Sequence, residues 1–386
     1  MQNQIPNNWQ KVKLGELADL IPGFAFKSGD FTTDGTPVIK IRNIASGTLT
    51  LDNLEYFAGD INSLDKYKIN KGDILVSMTG SHVSQWSSVV GKITRNNKDQ
   101  VFLMNQRVGK IKPNPAKVDN DFLYYILHND ETTLNLANRA GGSANQANIS
   151  PEIIKSLEIS IPELEDQKKI ASVISVFDDK IDLNNKIAKT LEEMASEIFK
   201  EWFVKSVKSK KLKVKNFKIK DIAYVKTGNR PIKLKEKKED NFTIPVYGAR
   251  ELMGYTNKSL YNKKIIITGR VGTIGEVYLV DGLSWPSDNA LIAYPKDDNY
   301  FYLLYFLLKR INYLSLNRGS SQPLIAQSDI ENYPIDLPDE TKIKEFNIIV
   351  SKLFLLKNNK ENENQKLAQM RDLLLPKLMK GEIRIQ

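Results

Sequence analysis

LGELADLIPG, residues 14–23, is met again as IKDIAYVKTG at 219–228, and this recurrence decides how the rest of the chain is read. Leu14, Leu17, Ala18 and Gly23 return as Ile219, Ile222, Ala223 and Gly228, a shift of 205. Farther on, Gln146, Ile154, Pro162, Leu191 and Met194 return as Gln322, Ile330, Pro338, Leu367 and Met370, a shift of 176. Two shifts mean two copies of one unit, the first longer by their difference. Two copies at so long a period are an internal duplication and not a stacked solenoid. A duplicated chain can place similar modules about a pseudo-two-fold axis, a symmetry that duplex DNA shares.

Each copy opens with a strand-rich part. In the first, the apolar runs Val38–Ile44, Asp73–Met78, Ser88–Ile93 and Phe102–Lys112 are broken by Gly, Asn and Asp turns; Phe242–Tyr247, Lys264–Thr268, Gly275–Val280 and Ala290–Tyr294 follow the same grammar in the second. Aromatic-rich helical stretches follow at Asp121–Asn129 and Tyr300–Leu314. Each copy then closes in a long helix. The first carries a heptad stripe of Ile170, Ile174, Phe177, Ile181, Asn184, Ala188, Leu191, Ala195 and Ile198; the second reads Phe346, Ile349, Leu353, Leu356, Lys360, Glu363, Leu367, Met370 and Leu374. Pro162 and Pro338 precede the helices, acidic residues open them, and Gly381 is placed to cap the second. Antiparallel pairing of the two helices is expected, with Ile170 near Leu374 and Ile181 near Glu363. The expected division is 1–161 and 208–337 globular, 162–207 and 338–386 helical. The fold class is α+β, two mixed α/β domains separated by two long antiparallel coiled-coil helices.

The 386 residues carry 56 Lys and Arg against 46 Asp and Glu, but the excess is local. Residues 1–162 are balanced at 17 to 16, whereas 207–338 hold 22 to 13, so a basic second domain points to nucleic acid. There is no cysteine, which excludes disulfides and thiolate metal sites and fits a reducing cytoplasm; His82 and His128 are the only histidines. No apolar run approaches a membrane span and the N-terminus is polar, so neither a transmembrane helix nor a secretory signal is expected. There is no GxxxxGK[ST] loop, no strand followed by GxGxxG, and no Asn/Asp-Pro-Pro-aromatic tetrapeptide like that of adenine methyltransferases. Pro338-Asp339 reads as a helix start. A binder or scaffold is expected, with no cofactor of its own.

KGDILVSMTG (71–80), NQRVG (105–109) and GGSANQANIS (141–150) lead into Glu165-Asp166-Gln167-Lys168-Lys169-Ile170; the second copy has YGAR (247–250), ITGRVGTIG (267–275), WPSDNA (285–290) and GSSQP (319–323). In order and duplication these resemble the specificity subunit of type I restriction–modification systems over essentially the whole chain. The resemblance implies two target-recognition domains, each reading half of a bipartite site in double-stranded DNA. It implies helices that act as a ruler and dock two methyltransferase subunits. Those partners supply S-adenosylmethionine chemistry on adenine, and restriction subunits add ATP- and Mg-dependent translocation and cleavage. The second copy departs from the pattern: it lacks the Asn105-Gln106-Arg107 run and has Asp288-Asn289-Ala290 in the matching place, and its helix start, Glu340-Thr341-Lys342-Ile343-Lys344, lacks the Glu-x-Gln signature of Glu165-Asp166-Gln167.

Base edges are read by polar side chains on loops that enter the major groove, and phosphates are held by Lys, Arg and backbone N–H groups. In the first domain Thr79, Ser81, His82, Ser84 and Gln85 form a polar insertion between apolar strands; Lys27, Arg42, Asn43 and Arg107 are further candidates, Arg107 equally readable as a structural ion pair. In the second domain the candidates are Arg230, Lys233, Tyr247, Arg250, Arg270 and Thr273. Ser321 and Gln322, with Ser143 and Gln146, recur in both copies, which favours structure or phosphate contact over base reading. The rival readings are the specificity part of another methyltransferase system, or a coiled-coil scaffold whose heads bind carbohydrate or protein through Tyr247, Tyr255, Tyr261 and Trp285.

Overall fold

The computed structural model describes residues 9–83, 85–143, 146–205, 215–337 and 339–385. Ser84, Pro338 and the stretch 206–214, which contains the expected 207/208 boundary, lie outside them. By its own contacts the chain forms two units, Met1–Asp182 with Asn364–Gln386, and Leu183–Glu363. Both passages of the chain from one unit to the other fall within the long helices Leu164–Phe199 and Glu340–Met379. No helix among the described residues is long and apolar enough to cross a membrane.

In the first unit Gln10–Lys13 pairs antiparallel with Glu158–Ile161. A four-stranded antiparallel sheet runs Ala18–Pro22, Val108–Pro113, Ile74–Ser77, Ile93–Arg95. A second sheet orders Phe31–Thr32, Glu55–Phe57, Thr36–Ile39, Phe102–Met104 and Lys68–Ile69, with one parallel pair at Leu103 and Val38. The expected single run Phe102–Lys112 is thus two strands in two sheets, parted by a turn at 105–107. The run expected at Ser88–Ile93 gives a strand only from Ile93, because Gly91 takes a positive φ of 86° and turns the chain. Asp119 and Asn129 cap the helices Asn120–Leu127 and Asp130–Asn138 by accepting from Phe122 N and Thr132 N.

The second unit repeats this plan. Lys215–Lys218 pairs with Pro334–Leu337, and Ala223–Thr227, Ala290–Pro295, Ile265–Gly269, Val277–Val280 form the four-stranded sheet. The correspondence holds bond by bond. Leu14 N donates to Leu157 O and Ile219 N to Tyr333 O; Gly23 N to Val108 O and Gly228 N to Ala290 O; Met78 N to Arg107 O and Arg270 N to Asn289 O. The recurring glycine of the opening decapeptide has a direct cause. A Cβ on Gly23 would lie 2.0 Å from Asn105 O, and one on Gly228 2.1 Å from the equivalent Ser287 O, so neither turn has room for a side chain.

The long helices are antiparallel in both units, as expected; Ile181 O accepts from Asn364, next to the expected Glu363, at 3.5 Å, while the ion pairs join residues about one turn farther on. Asp178 Oδ1 accepts from Arg371 at 2.7 Å, and Glu192 pairs with Lys357 at 3.2 Å, whereas the expected register would set Asp178 opposite Lys366. The stripes also differ. Ile170 and Ile174 are buried, but on the second helix the buried positions are Ile343, Phe346, Val350, Phe354 and Leu378, while Ile349, Leu356 and Met370 are exposed. A strict heptad assumes that each helix faces only its partner. Here Phe346 and Phe354 also pack on Phe306 of the head, which turns the buried face toward the head core. Phe177 is only half-buried. Ile174→Ala should therefore cost about 3 kcal/mol and Phe177→Ala clearly less, read as the shift in urea midpoint. Equal effects would contradict this seam.

The departure at the second helix start is explained by burial. Gln167, 1% exposed, accepts from Asp119 N at 2.9 Å and donates to Pro162 O at 2.9 Å. The equivalent Ile343, also 1% exposed, fills the place with hydrocarbon. At the C-terminus Pro376 sits in the last turns of the second helix, and Gly381, at φ 66°, donates to Leu378 O and ends it.

In each unit a tyrosine of the head ties it to the long helices. Tyr125 Oη donates to Asp178 at 2.7 Å, and Tyr305 Oη to Glu192 at 2.8 Å. Burial opposes ionisation of Glu192, but Lys309, Lys357 and Tyr305 outweigh it and hold the carboxyl at about 2. Its folded value is thus below its unfolded one, so the stabilisation is complete above about pH 4.5 and is lost as pH falls toward 2. With solvent screening this is about 1–2 kcal/mol. Glu192→Gln should flatten the fall in melting temperature across that window; an unchanged acid profile would show that the carboxylate contributes nothing.

Candidate nucleic-acid interface

One edge of each head gathers the turns that follow the central strands. In the first unit, Thr79–Gly80 leaves the strand Ile74–Ser77 and pairs with Gln146–Asn148, the inner strand of the hairpin whose Gln146 recurs as Gln322. Thr79 Oγ1 donates to Asn148 Oδ1 at 2.7 Å, and Phe24 N binds Met104 O beside the 105–107 turn. In the second unit, Val271 bridges Leu324, Gly272 N donates to Pro323 O at 2.9 Å, and Asn229 N donates to Pro286 O at 3.1 Å. The decapeptide's end, the loop after the central strand, the 105–107 or 287–289 turn and the recurring hairpin therefore meet in both copies.

The structure sorts the candidate residues. Arg107 is exposed and has no ion pair among the described residues, which removes its structural alternative. Gln85 is exposed and His82 half-buried in the same loop. In the second unit Arg230, Arg250, Thr273, Ser321 and Gln322 are exposed on the gathered turns. Arg270 lies among them, half-buried, its Nη1 donating to Asp288 O at 3.3 Å while its buried Nε has no partner among the described residues. Tyr247 is half-buried with its ring 6.2 Å from that of Tyr278, so Arg250 is the outward member of the YGAR run. Lys233 is exposed on the loop beyond Arg230, and Lys27 is exposed where its backbone N donates to Asp30.

Three candidates are engaged within their own loops. Asn43 is 1% exposed; its amide donates to Thr50 O and Asp52 O and accepts from Lys40 N, so it builds a loop. Ser81 is 5% exposed and its hydroxyl is shared between Gln85 O and Ser88 Oγ. Arg42 is tied to Glu55 and to Asn53 O in that same loop. Residue type alone does not separate such side chains from free ones. Sequence reasoning also passed over Trp86, an exposed ring in the 82–88 loop with the Lys92 ammonium 4.1 Å from its centroid. An aromatic within a run of small polar residues was the available signal.

The aromatics that a carbohydrate head would need are largely occupied. Tyr247 and Tyr261 pack on the core around Ile267, and the Trp285 indole donates to Asn229 O at 2.7 Å.

Residues 6–193 and 211–371 match the type I restriction modification DNA specificity domain. The type I restriction enzyme MjaIX specificity subunit of Methanocaldococcus jannaschii is 26% identical over 430 residues, covering 99% of this chain and 95% of that protein. The HindI specificity subunit of Haemophilus influenzae is 34% identical over 148 residues, 38% of this chain and 30% of its own length. The crystal structure of a type I S subunit from M. genitalium aligns over 98% of this chain and 97% of its own, with a TM-score of 0.60 at 20% identity. The chain belongs to the type I restriction–modification specificity family, with one target-recognition domain in each copy of its repeat.

Proposed function

We propose that this chain is the non-catalytic sequence reader of a type I restriction–modification complex in the cytoplasm, each head contacting one half of a bipartite site in double-stranded DNA. The observation that carries this is the edge just described. The two copies share its hydrogen-bonded frame and differ in the side chains mounted on it: Thr79, Gln85 and Arg107 in one, Arg250, Arg270 and Thr273 in the other. A shared frame with different donors is what two readers of unlike half-sites require.

Two methyltransferase subunits would dock on the long helices, where Val176, Met370 and Leu373 of the first unit and Leu183, Ile348 and Leu356 of the second are exposed apolar side chains. S-adenosylmethionine would be held by those partners, and ATP and Mg by restriction subunits. The purified chain alone should transfer no methyl group to DNA, measured with radiolabelled S-adenosylmethionine, and should do so once its methyltransferase is added. Methylation by the chain alone would overturn the assignment. DNA affinity should also fall steeply as salt rises, because Lys and Arg displace condensed counterions. Salt-independent binding would favour the carbohydrate- or protein-binding scaffold.

A further inference from the structure

The two copies also differ by two residues in the length of a loop at the opposite end of the central strand from the turns proposed to face DNA. In the first unit the strands Ile74–Ser77 and Ile93–Arg95 lead into the loop 97–101, which folds over the first long helix. Asn97 Nδ2 donates to both Asp182 oxygens at 3.3 and 3.1 Å, and Asp99 accepts from Lys71 at 2.8 Å. In the second unit the pairing registers make Lys263 the equivalent of Lys71, and the loop shrinks to Asp281-Gly282-Leu283. It is too short to cover the helix. What remains is a cleft of about 630 Å³ lined by Lys263, Lys264, Tyr294, Asn347, Lys352 and Leu355.

We propose that this cleft takes an acidic peptide segment of a protein partner, in the place that the first unit fills with its own loop. The first copy supplies the template: a carboxylate on the lysine before the central strand, and an amide on the long helix. In the second copy that lysine, Lys263, has no carboxylate partner among the described residues and lies 3.3 Å from the Tyr294 ring centroid. The helix face has changed to match. Asp179 and Asp182 of the first copy correspond to Leu355 and Asn358, and Val176 to Lys352, so an acidic face has become an apolar and basic one. Leu355 is 60% exposed and offers an apolar contact to the incoming segment. Asn347 has a buried side-chain oxygen with no hydrogen-bond partner among the described residues. Asp281 and Asp298 also line the cleft and can accept peptide N–H groups. Because the first unit's place is filled, one segment binds per chain even though the scaffold is duplicated. This inference does not depend on which residues read DNA.

The test uses the full chain and a fluorescein-labelled octapeptide, Gly-Asp-Glu-Leu-Asp-Glu-Leu-Gly, followed by anisotropy. Saturable one-to-one binding with Kd below about 1 mM is expected. Lys263→Glu with Lys352→Glu should weaken it by about tenfold or more, while Lys66→Glu in the first unit leaves it unchanged. A second variant replaces Asp281–Leu283 by residues 97–101 of the first copy, which should fill the cleft and abolish binding without reversing any lysine; unchanged circular dichroism melts show that both variants fold. Absence of saturable binding, equal affinity in wild type and both variants, or displacement by inorganic phosphate or a short oligo-dT strand as readily as by unlabelled peptide would overturn the proposal.

Discussion

Replacing residues 219–337 with the matching domain of a relative should change one half of the methylated DNA sequence and leave the other half intact. The reason lies in where the head is anchored. Its frame closes on itself through Ile219 N to Tyr333 O, Gly228 N to Ala290 O and Ile325 N to Arg270 O, all inside the exchanged segment. Its seat on the helices is a buried aromatic cluster in which Phe306 meets Phe199, Phe346 and Phe354, and Tyr302 and Tyr305 meet Phe354. An exchange that keeps aromatic residues at 302, 305 and 306 preserves this seat while replacing Arg230, Arg250, Arg270 and Thr273 on the opposing edge. The effect is then a complete switch of one half-site. Methylation mapping reads it directly, and a change in both halves would mean that the heads do not read independently.

The second large effect is expected at Arg107. This side chain is exposed on a turn held by Met78 N to Arg107 O and Val108 N to Asn105 O, so its loss removes a donor without opening the core. A bidentate arginine on a guanine edge discriminates by about 1–3 kcal/mol, so Arg107→Ala should slow methylation of the cognate site by roughly tenfold to a hundredfold at an unchanged melting temperature. Loss confined to the cognate sequence would place the guanidinium on a base; equal loss on all sequences would place it on a phosphate. Arg42→Ala is the counterpart. Its ion pair with Glu55 is largely exposed and worth under about 1 kcal/mol, so it should leave methylation untouched. Wild-type methylation by Arg107→Ala would remove this turn from the interface.

The duplication was legible because backbone demands repeat more faithfully than side-chain chemistry. Gly23 and Gly228 return because each faces a carbonyl too closely for any Cβ, and Leu14 and Ile219 because both are buried, at 2% and 0% exposure. The antiparallel pairing of the helices was legible from their apolar periodicity, but not the ion pairs that join them. Those involve polar partners contributed from the heads, Tyr125 on Asp178 and Tyr305 on Glu192, which no helix period encodes. The interface was legible only as composition. Arg42, Asn43 and Ser81 carry the same donors as Arg107 and Gln85, and only the fold shows that the first three are spent on Glu55, on Thr50 and Asp52, and on Ser88. The open cleft of the second unit could not be read at all, since it arises from a loop too short to cover a helix distant in sequence.

The most direct measurement is genome-wide mapping of methylated adenines in a host that expresses this chain with its methyltransferase. Two heads on one shared frame predict a single motif made of two different specified half-sites separated by an unspecified spacer of constant length, absent when either protein is omitted. A continuous motif without a spacer, or the same methylation without this chain, would contradict the account.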